Sequence, residues 1–449
     1  MAPFNLVIRN GFLVSPYSIV KADIGVRGEK IAMIGRPETM PPSEKVLDAS
    51  GLYIIPGCID THVHFREPLR EDKENWITGS RSAACGGVTT VLEMPESVEP
   101  GPEALTRKMR LAEEKSVVDF GLYGRPRGPE DVQELFKIGV IGYKILLGYE
   151  QFALDDGSFF QILKGIGSTS LPAVVHAEDI TIIRELEKEL LQKGMKDIFA
   201  HGEARANFVE EEAVAKSLVL ARAAGCKLHI AHLSTKEGAE LIRTAKRNRQ
   251  AVTAETCPQY LLLEKTHLEK LGPYGKINPP VRGTKEDIAA LWLGLRDGTV
   301  DCIATDHAPH LIEEKELGWK NIFDSAPGVI GVQTMLPLML TEVNRGRLSL
   351  TKLVELTSAN PAKIFNIYPR KGSIQIGSDA DLVIINLKKR STIRIEDQQS
   401  KMPFTPYNGW KIQGTPRVTI VRGQVAAEDG KVRVDPGYGK LIKPDYKPG

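Results

Sequence analysis

The chain has 449 residues, 42% of them hydrophobic and 26% charged, and 59 Lys+Arg against 57 Asp+Glu leave a formal net charge of +2. That balance, with no dense Lys/Arg block, gives no electrostatic support for a nucleic-acid partner, and no uncharged run approaches the roughly 18 apolar residues of a membrane span. The length allows one large domain or two to three ordinary ones, each with a sizeable core.

The opening residues, Met1 to Asn10, read as a strand entering a turn and lack a signal peptide's long apolar region. Residues 6–14, 22–34 and 46–55 alternate apolar and polar around the turn signals Asn10-Gly11 and Gly28-Glu29. Near the other end, residues 372–387 and 418–432 do the same, with turns at Gly377-Ser378 and Asp429-Gly430. Both termini are therefore expected to pair into one small β-sandwich domain, built from residues 1–55 and 366–449. Cys58, Cys85, Cys226, Cys257 and Cys302 are scattered and without C-x-x-C spacing, which predicts core thiols in a reducing cytoplasm.

Between the two ends, strand-like apolar runs occur at residues 53–64, 88–95, 118–123, 140–147, 172–177, 227–233, 251–256 and 301–305. Helical periodicity lies between several of them, as at 103–115, 208–224 and 236–247. Continuous apolar strands interleaved with helices imply a parallel sheet. Eight of them in about 260 residues predict an α/β fold of the (β/α)8, TIM-like barrel type over residues 56–365. A doubly wound open sheet is the alternative, but no G-x-G-x-x-G follows a strand.

The stretch Pro56-Gly57-Cys58-Ile59-Asp60-Thr61-His62-Val63-His64 places two histidines one residue apart on a strand, so both imidazoles share a face. Such a pair suits a borderline-soft divalent ion such as zinc. A barrel carries its chemistry at the C-terminal ends of its strands. Those ends hold His62 and His64 (first), Lys144 (fourth), His176 (fifth), His232 (sixth) and Asp306 (after the eighth). Any one of these histidines alone reads more simply as a core residue, and Lys144 alone as a snorkelling side chain. Six polar residues landing at one barrel face reverse that judgement. Lys144 is the telling member, because a buried ammonium is costly and repels a cation. Carbamylated by carbon dioxide, it becomes an anion whose two oxygens can bridge two metals roughly 3.5–4 Å apart.

At this point the chain resembles the cyclic-amide branch of the amidohydrolase superfamily: dihydroorotases, allantoinases, hydantoinases and dihydropyrimidinases. The resemblance covers nearly the whole sequence. It rests on the H-x-H opening, Lys144, His176-Ala177-Glu178-Asp179, His229-Ile230-Ala231-His232-Leu233-Ser234, Asn278-Pro279-Pro280-Val281-Arg282, Thr305-Asp306-His307-Ala308-Pro309-His310 and Gly377-Ser378-Asp379-Ala380-Asp381-Leu382-Val383. It implies two zinc ions per chain, one on His62, His64 and Asp306, the other on His176 and His232, with carbamylated Lys144 between. His229 is left as a core residue or one that supports the ligands. Asp306 would also shuttle the proton as metal-bound hydroxide attacks a small cyclic amide. The resemblance further suggests a homodimer or homotetramer.

Which ring is opened rests on fewer residues. Arg66, His310 and Asn278 resemble the dihydroorotase pattern, in which a guanidinium fork and a histidine hold a ring carboxylate. This implies dihydroorotate/N-carbamoyl-aspartate interconversion in pyrimidine biosynthesis. Two departures keep hydantoin, dihydropyrimidine and allantoin rings open as alternatives. Glu96 stands where that family has an asparagine, and Tyr149 follows Lys144 at the five-residue spacing that hydantoinases use for an oxyanion-stabilising tyrosine. A non-catalytic scaffold is the remaining alternative, though such relatives lack several ligands and this chain has all six. Residues 311–324, rich in Glu and Lys, read as either a lid over the site or a solvated loop.

Overall fold

A computed structural model describes residues 4–36, 39–95 and 101–445. Its centre is an eight-stranded parallel sheet taken in strict chain order. The barrel strands are β1 (Cys58–Val63), β2 (Val88–Glu93), β3 (Asp119–Gly124), β4 (Gly142–Leu146), β5 (Ala173–His176), β6 (Leu228–Ile230), β7 (Val252–Thr256) and β8 (Cys302–Ile303). Strands such as β5, Ala-Val-Val-His, are buried along their whole length because helices cover one side and barrel packing fills the other. The ring closes through the chain just beyond β8. The His64 N–H donates to the His307 carbonyl at 2.8 Å, and the Asp60 carboxylate accepts from the Thr305 N–H at 3.0 Å and hydroxyl at 2.6 Å.

The expected helices are present with identifiable ends. Pro102–Lys115 starts on a proline, whose missing N–H costs nothing in a first turn. Lys236–Arg247 is capped by Thr235, whose hydroxyl accepts from the Gly238 N–H at 3.1 Å. Asn207–Ala224 stops at Gly225, which takes the left-handed conformation (φ 64°) that ends a helix.

The terminal segments form two sheets. A four-stranded sheet runs in the order Lys30–Gly35, Asp23–Arg27, Leu6–Arg9, Val46–Asp48. A seven-stranded sheet runs Lys431–Val432, Gln424–Glu428, Lys411–Val421, Leu382–Thr392, Tyr53–Pro56, Phe12–Val14, Ile19–Lys21. Leu6, Ile8, Ile24 and Val26 of the first pack with Leu13, Ile54, Leu382, Ile384, Val418 and Ile420 of the second in one shared core, which makes the pair a sandwich.

Three strand expectations are corrected. The alternating run 6–14 is divided between the sheets: Asn10, at φ 64°, turns the chain out of the smaller sheet and into the larger. Residues 53–64 are not one strand: Tyr53–Pro56 belongs to the sandwich and β1 to the barrel. Gly57 stands at that crossing, where a Cβ would collide with the Thr89 side chain. Residues 372–381 pair only through an isolated bridge of Asp379 to Lys30; they bring Asp379 and Asp381 to Lys371, and the strand starts at Leu382. Lys371 also reaches Asp119 at the start of β3, so a buried ion cluster ties sandwich to barrel.

Among the described residues no helix is long and apolar enough to cross a membrane, and all five cysteines are buried free thiols.

Candidate active site

The C-terminal ends of the strands open into a cavity of about 280 Å3. His62, His64, Arg66, Lys144, Tyr149, His176, His232, Asn278, Asp306 and His310 all line it. Glu96 lies outside the described residues. Three lining residues, Arg66 (φ 63°), His232 (φ 37°) and Asp306 (φ 49°), sit in the left-handed backbone region that side chains ordinarily avoid. Such strain persists only where surrounding structure imposes it, and here it aims three side chains into one cavity.

Two ligand-like groups are apparent. His64 Nε2 lies 3.1 Å and His62 Nε2 3.4 Å from Asp306 Oδ1, and the donor atoms of these three residues all fall within 4.8 Å of one another. His176 Nδ1 and His232 Nε2 face each other at 2.9 Å. The His62 and His232 rings, one from each group, are 5.1 Å apart between centroids. Lys144, 1% exposed, places Nζ 3.5 Å from His62 Nε2. Burial, with the nearby Lys144 charge next, holds the His62 imidazole below its ordinary pKa. His176 and His232 are also shifted down, chiefly by burial. All three rings are thus neutral near pH 7, with lone pairs available. Burial opposes ionisation of Asp306, but His62, then His64 and His232, outweigh it and keep the carboxylate charged.

The family resemblance implies divalent metals at such a site, and the residues fit them. One aspartate and four imidazoles form a nitrogen- and oxygen-rich donor set, and the outward nitrogens of two rings are held by carboxylates. His62 Nδ1 contacts Glu255 Oε1 at 2.6 Å, and His176 Nε2 contacts Glu178 Oε2 at 2.8 Å. Glu255 also takes the Thr61 hydroxyl at 2.5 Å and approaches His229 Nε2 at 3.2 Å, which gives His229 its place beneath the site. Arg205 donates to Glu178 at 2.6 Å and leads the charges that hold this buried carboxyl down to about 2 against burial.

Motif reading does not single out Glu255, and it gives Glu178 only as part of the segment His176-Ala177-Glu178-Asp179, with no role. The signal was an acidic residue at the end of the apolar seventh strand, and a Glu two residues beyond His176, on the same face by alternation.

The other end of the cavity is basic. An Arg66 Nη donates to His310 Nε2 at 3.1 Å, and Arg66 Nε donates to the Pro309 carbonyl at 3.3 Å. Burial, then the Arg66 charge, pushes His310 down to about 3, so its ring is a neutral acceptor at this contact. Lys73 and Glu314 approach His310 Nδ1 at 3.1 and 3.3 Å. Asn278 Nδ2 lies 3.4 Å from the Tyr149 hydroxyl, and the Tyr149 ring is 5.0 Å from His176. Residues 311–324 are not a solvated loop throughout: Ile312–Glu316 is helical, Lys315 is fully buried, and Glu314 braces His310.

A barrel whose strand ends carry an H-x-H pair, two further histidines, a lysine and an aspartate is the architecture of an amidohydrolase. The chain belongs to the amidohydrolase family, which it matches over residues 53–426. It is 38% identical to an L-hydantoinase of Paenarthrobacter aurescens, with 98% of each chain covered. It is 36% identical to a dihydroorotase of Methanosarcina acetivorans, covering 97% of this chain and 95% of that one. The solved structure of an L-hydantoinase (dihydropyrimidinase) from Arthrobacter aurescens superposes with a TM-score of 0.95 at 37% identity, over 98% of this chain and 100% of that one.

Proposed function

We propose that the protein is a metal-dependent hydrolase of cyclic amides, and that its ring substrate carries a carboxylate, with dihydroorotate the leading candidate. The observation that carries the carboxylate is Arg66: its guanidinium lines the cavity and is braced by His310, itself neutral and pinned by Lys73 and Glu314. A guanidinium fork matches the geometry of a planar carboxylate.

In this reading His62, His64 and Asp306 hold one zinc, His176 and His232 the other, and Lys144, as a carbamate, lies between. Divalent ions bound there supply Lewis acidity, toward the ring carbonyl and toward the attacking water. Asp306, ionised and 3.1 Å from His64, accepts the proton released on attack and returns it to the ring nitrogen as the C–N bond breaks. Tyr149 keeps its proton, since burial pushes its hydroxyl up to about 12, and so can donate to the oxygen that develops negative charge. Arg66, His310 and Asn278 orient the ring through its carboxylate. Run in reverse, the same groups close N-carbamoyl-aspartate to dihydroorotate.

One observation favours an uncharged hydantoin or dihydropyrimidine ring instead. Tyr149 stands over His176 at the spacing expected of a hydantoinase, and an L-hydantoinase is among the similar relatives. The deciding experiment assays ring opening of dihydroorotate, dihydrouracil, hydantoin and allantoin by purified metal-loaded protein. A large kcat/KM preference for dihydroorotate is expected; a large preference for an uncharged ring overturns the carboxylate assignment, and no turnover of any ring overturns the hydrolase reading.

A further inference from the structure

Asn278 and Pro327 both line the cavity, and the segments that carry them are joined by two buried lysines outside the metal site. Lys315 is 0% and Lys276 5% exposed. Lys315 Nζ donates to the carbonyls of Lys276 (2.9 Å), Ala326 (2.9 Å) and Gly328 (3.1 Å). Lys276 Nζ donates to those of Ile322 (2.8 Å), Phe323 (3.1 Å) and Ser325 (2.6 Å). The Gly328 N–H returns to the Lys276 carbonyl at 2.9 Å. Among the described residues neither ammonium has a carboxylate in ion-pair contact.

A buried ammonium without a counter-ion is expensive, and an apolar residue of similar volume would avoid that cost. What the ammonium alone provides is three donors, converging carbonyls from both sides of Pro327 and from the residue two before Asn278. The fastened segment also abuts the basic end of the site, because a Cβ at Gly328 (φ 153°) would press on the Ala308 carbonyl and the His310 ring.

We infer that Lys315 and Lys276 are positioning residues that hold Asn278, Pro327 and the Gly328–His310 contact as the wall against which the ring's carboxylate end is bound. The inference rests on the cyclic-amide reading and deepens it. It carries a pH signature. Burial and the charge of Lys276 push Lys315 down to about 7, and burial and Arg205 push Lys276 down to about 8. Glu187 and Asp324 face Lys276 and act in the other direction, while the neighbouring His310 is neutral throughout this range. Both folded values lie below the ordinary lysine value of 10.5, so each third donor is present at low pH and lost as pH rises through 7 to 8.

The test compares wild type, Lys315→Met and Lys276→Met as full-length metal-loaded proteins, by steady-state kinetics from pH 6 to 9 and by hydrogen exchange. For Lys315→Met, KM should rise about tenfold at pH 6.5 with kcat within about twofold, as expected when binding rather than chemistry is weakened. Wild-type KM should climb between pH 6.5 and 8.5, whereas that of the variant should climb less, with only Lys276 left to titrate. Exchange over residues 322–330 should quicken in the variant while β1 is unchanged. Wild-type-like KM and exchange in the variant overturn the inference, as does a loss confined to kcat. If Lys315→Met does not fold, a pH-independent wild-type KM together with unaltered KM in Lys276→Met overturns it. A wild type that opens no cyclic amide fails the functional reading instead, and exchange alone then judges the lysines.

Discussion

His62 and Glu255 meet ring nitrogen to carboxylate oxygen at 2.6 Å, both fully buried beneath the cavity. The contact fixes which nitrogen of His62 carries the proton and leaves Nε2 turned toward Asp306 and Lys144. Glu255 also receives the His232 backbone N–H at 3.4 Å, so one carboxylate touches residues of both ligand groups. Glu255→Gln should therefore weaken metal binding about 10- to 100-fold, measured by competition with a chelator. Unchanged affinity would show that His62 needs no such partner.

Lys144→Ala should lose at least one of the two expected metals and most activity. Short carboxylic acids added to that variant should restore part of both by occupying the place of the carbamate. Elemental analysis and turnover measure the outcome, and full metal content with full activity in the variant would exclude a bridging role.

Asp306→Asn separates proton transfer from metal binding. The His176–His232 contact is made without Asp306, so much of one metal should remain while turnover collapses. A variant that opens any cyclic amide at close to the wild-type rate would remove Asp306 from the proton path.

Arg66→Ala distinguishes the two classes of ring. With a carboxylate-bearing substrate, loss of the guanidinium should abolish measurable saturation; a buried charged hydrogen-bonding partner is worth about 2–5 kcal/mol. With an uncharged ring the effect on KM should be small. Comparing dihydroorotate with hydantoin in the same variant gives the answer.

Lys371→Met tests the tie between barrel and sandwich. It would leave Asp119, Asp379 and Asp381 buried close together with Lys371's charge removed, although Arg422 still reaches Asp119. Breaking such a cluster should destabilise the protein by about 3–5 kcal/mol, read as a large fall in Tm with metal content unchanged in the folded fraction. A Tm within a degree or two of wild type would show that Arg422 and solvent compensate.

The barrel and its chemical face were readable from the chain because both depend on local pattern. Continuous apolar runs broken by helical periodicity leave few architectures in which every strand is buried on both sides. The H-x-H spacing, Lys144, His176, His232 and Asp306 all fall at the ends of those runs. The turn at Gly28-Glu29 was equally local, and Asp23–Arg27 pairs with Lys30–Gly35 across it.

Tertiary structure alone decided the rest. Alternation in residues 6–14 marks extended chain but not its partner, and only packing sent its halves into different sheets. Gly57 separates sandwich from barrel because Thr89, distant in sequence, leaves no room for a side chain. Glu255 and the lysines 276 and 315 carry no motif, since their roles come from atoms tens of residues away that meet only when the barrel closes. Amino-acid type determines what a side chain can donate or accept; folding determines which partner is within 3 Å, and in a buried site that distance sets charge, tautomer and orientation together.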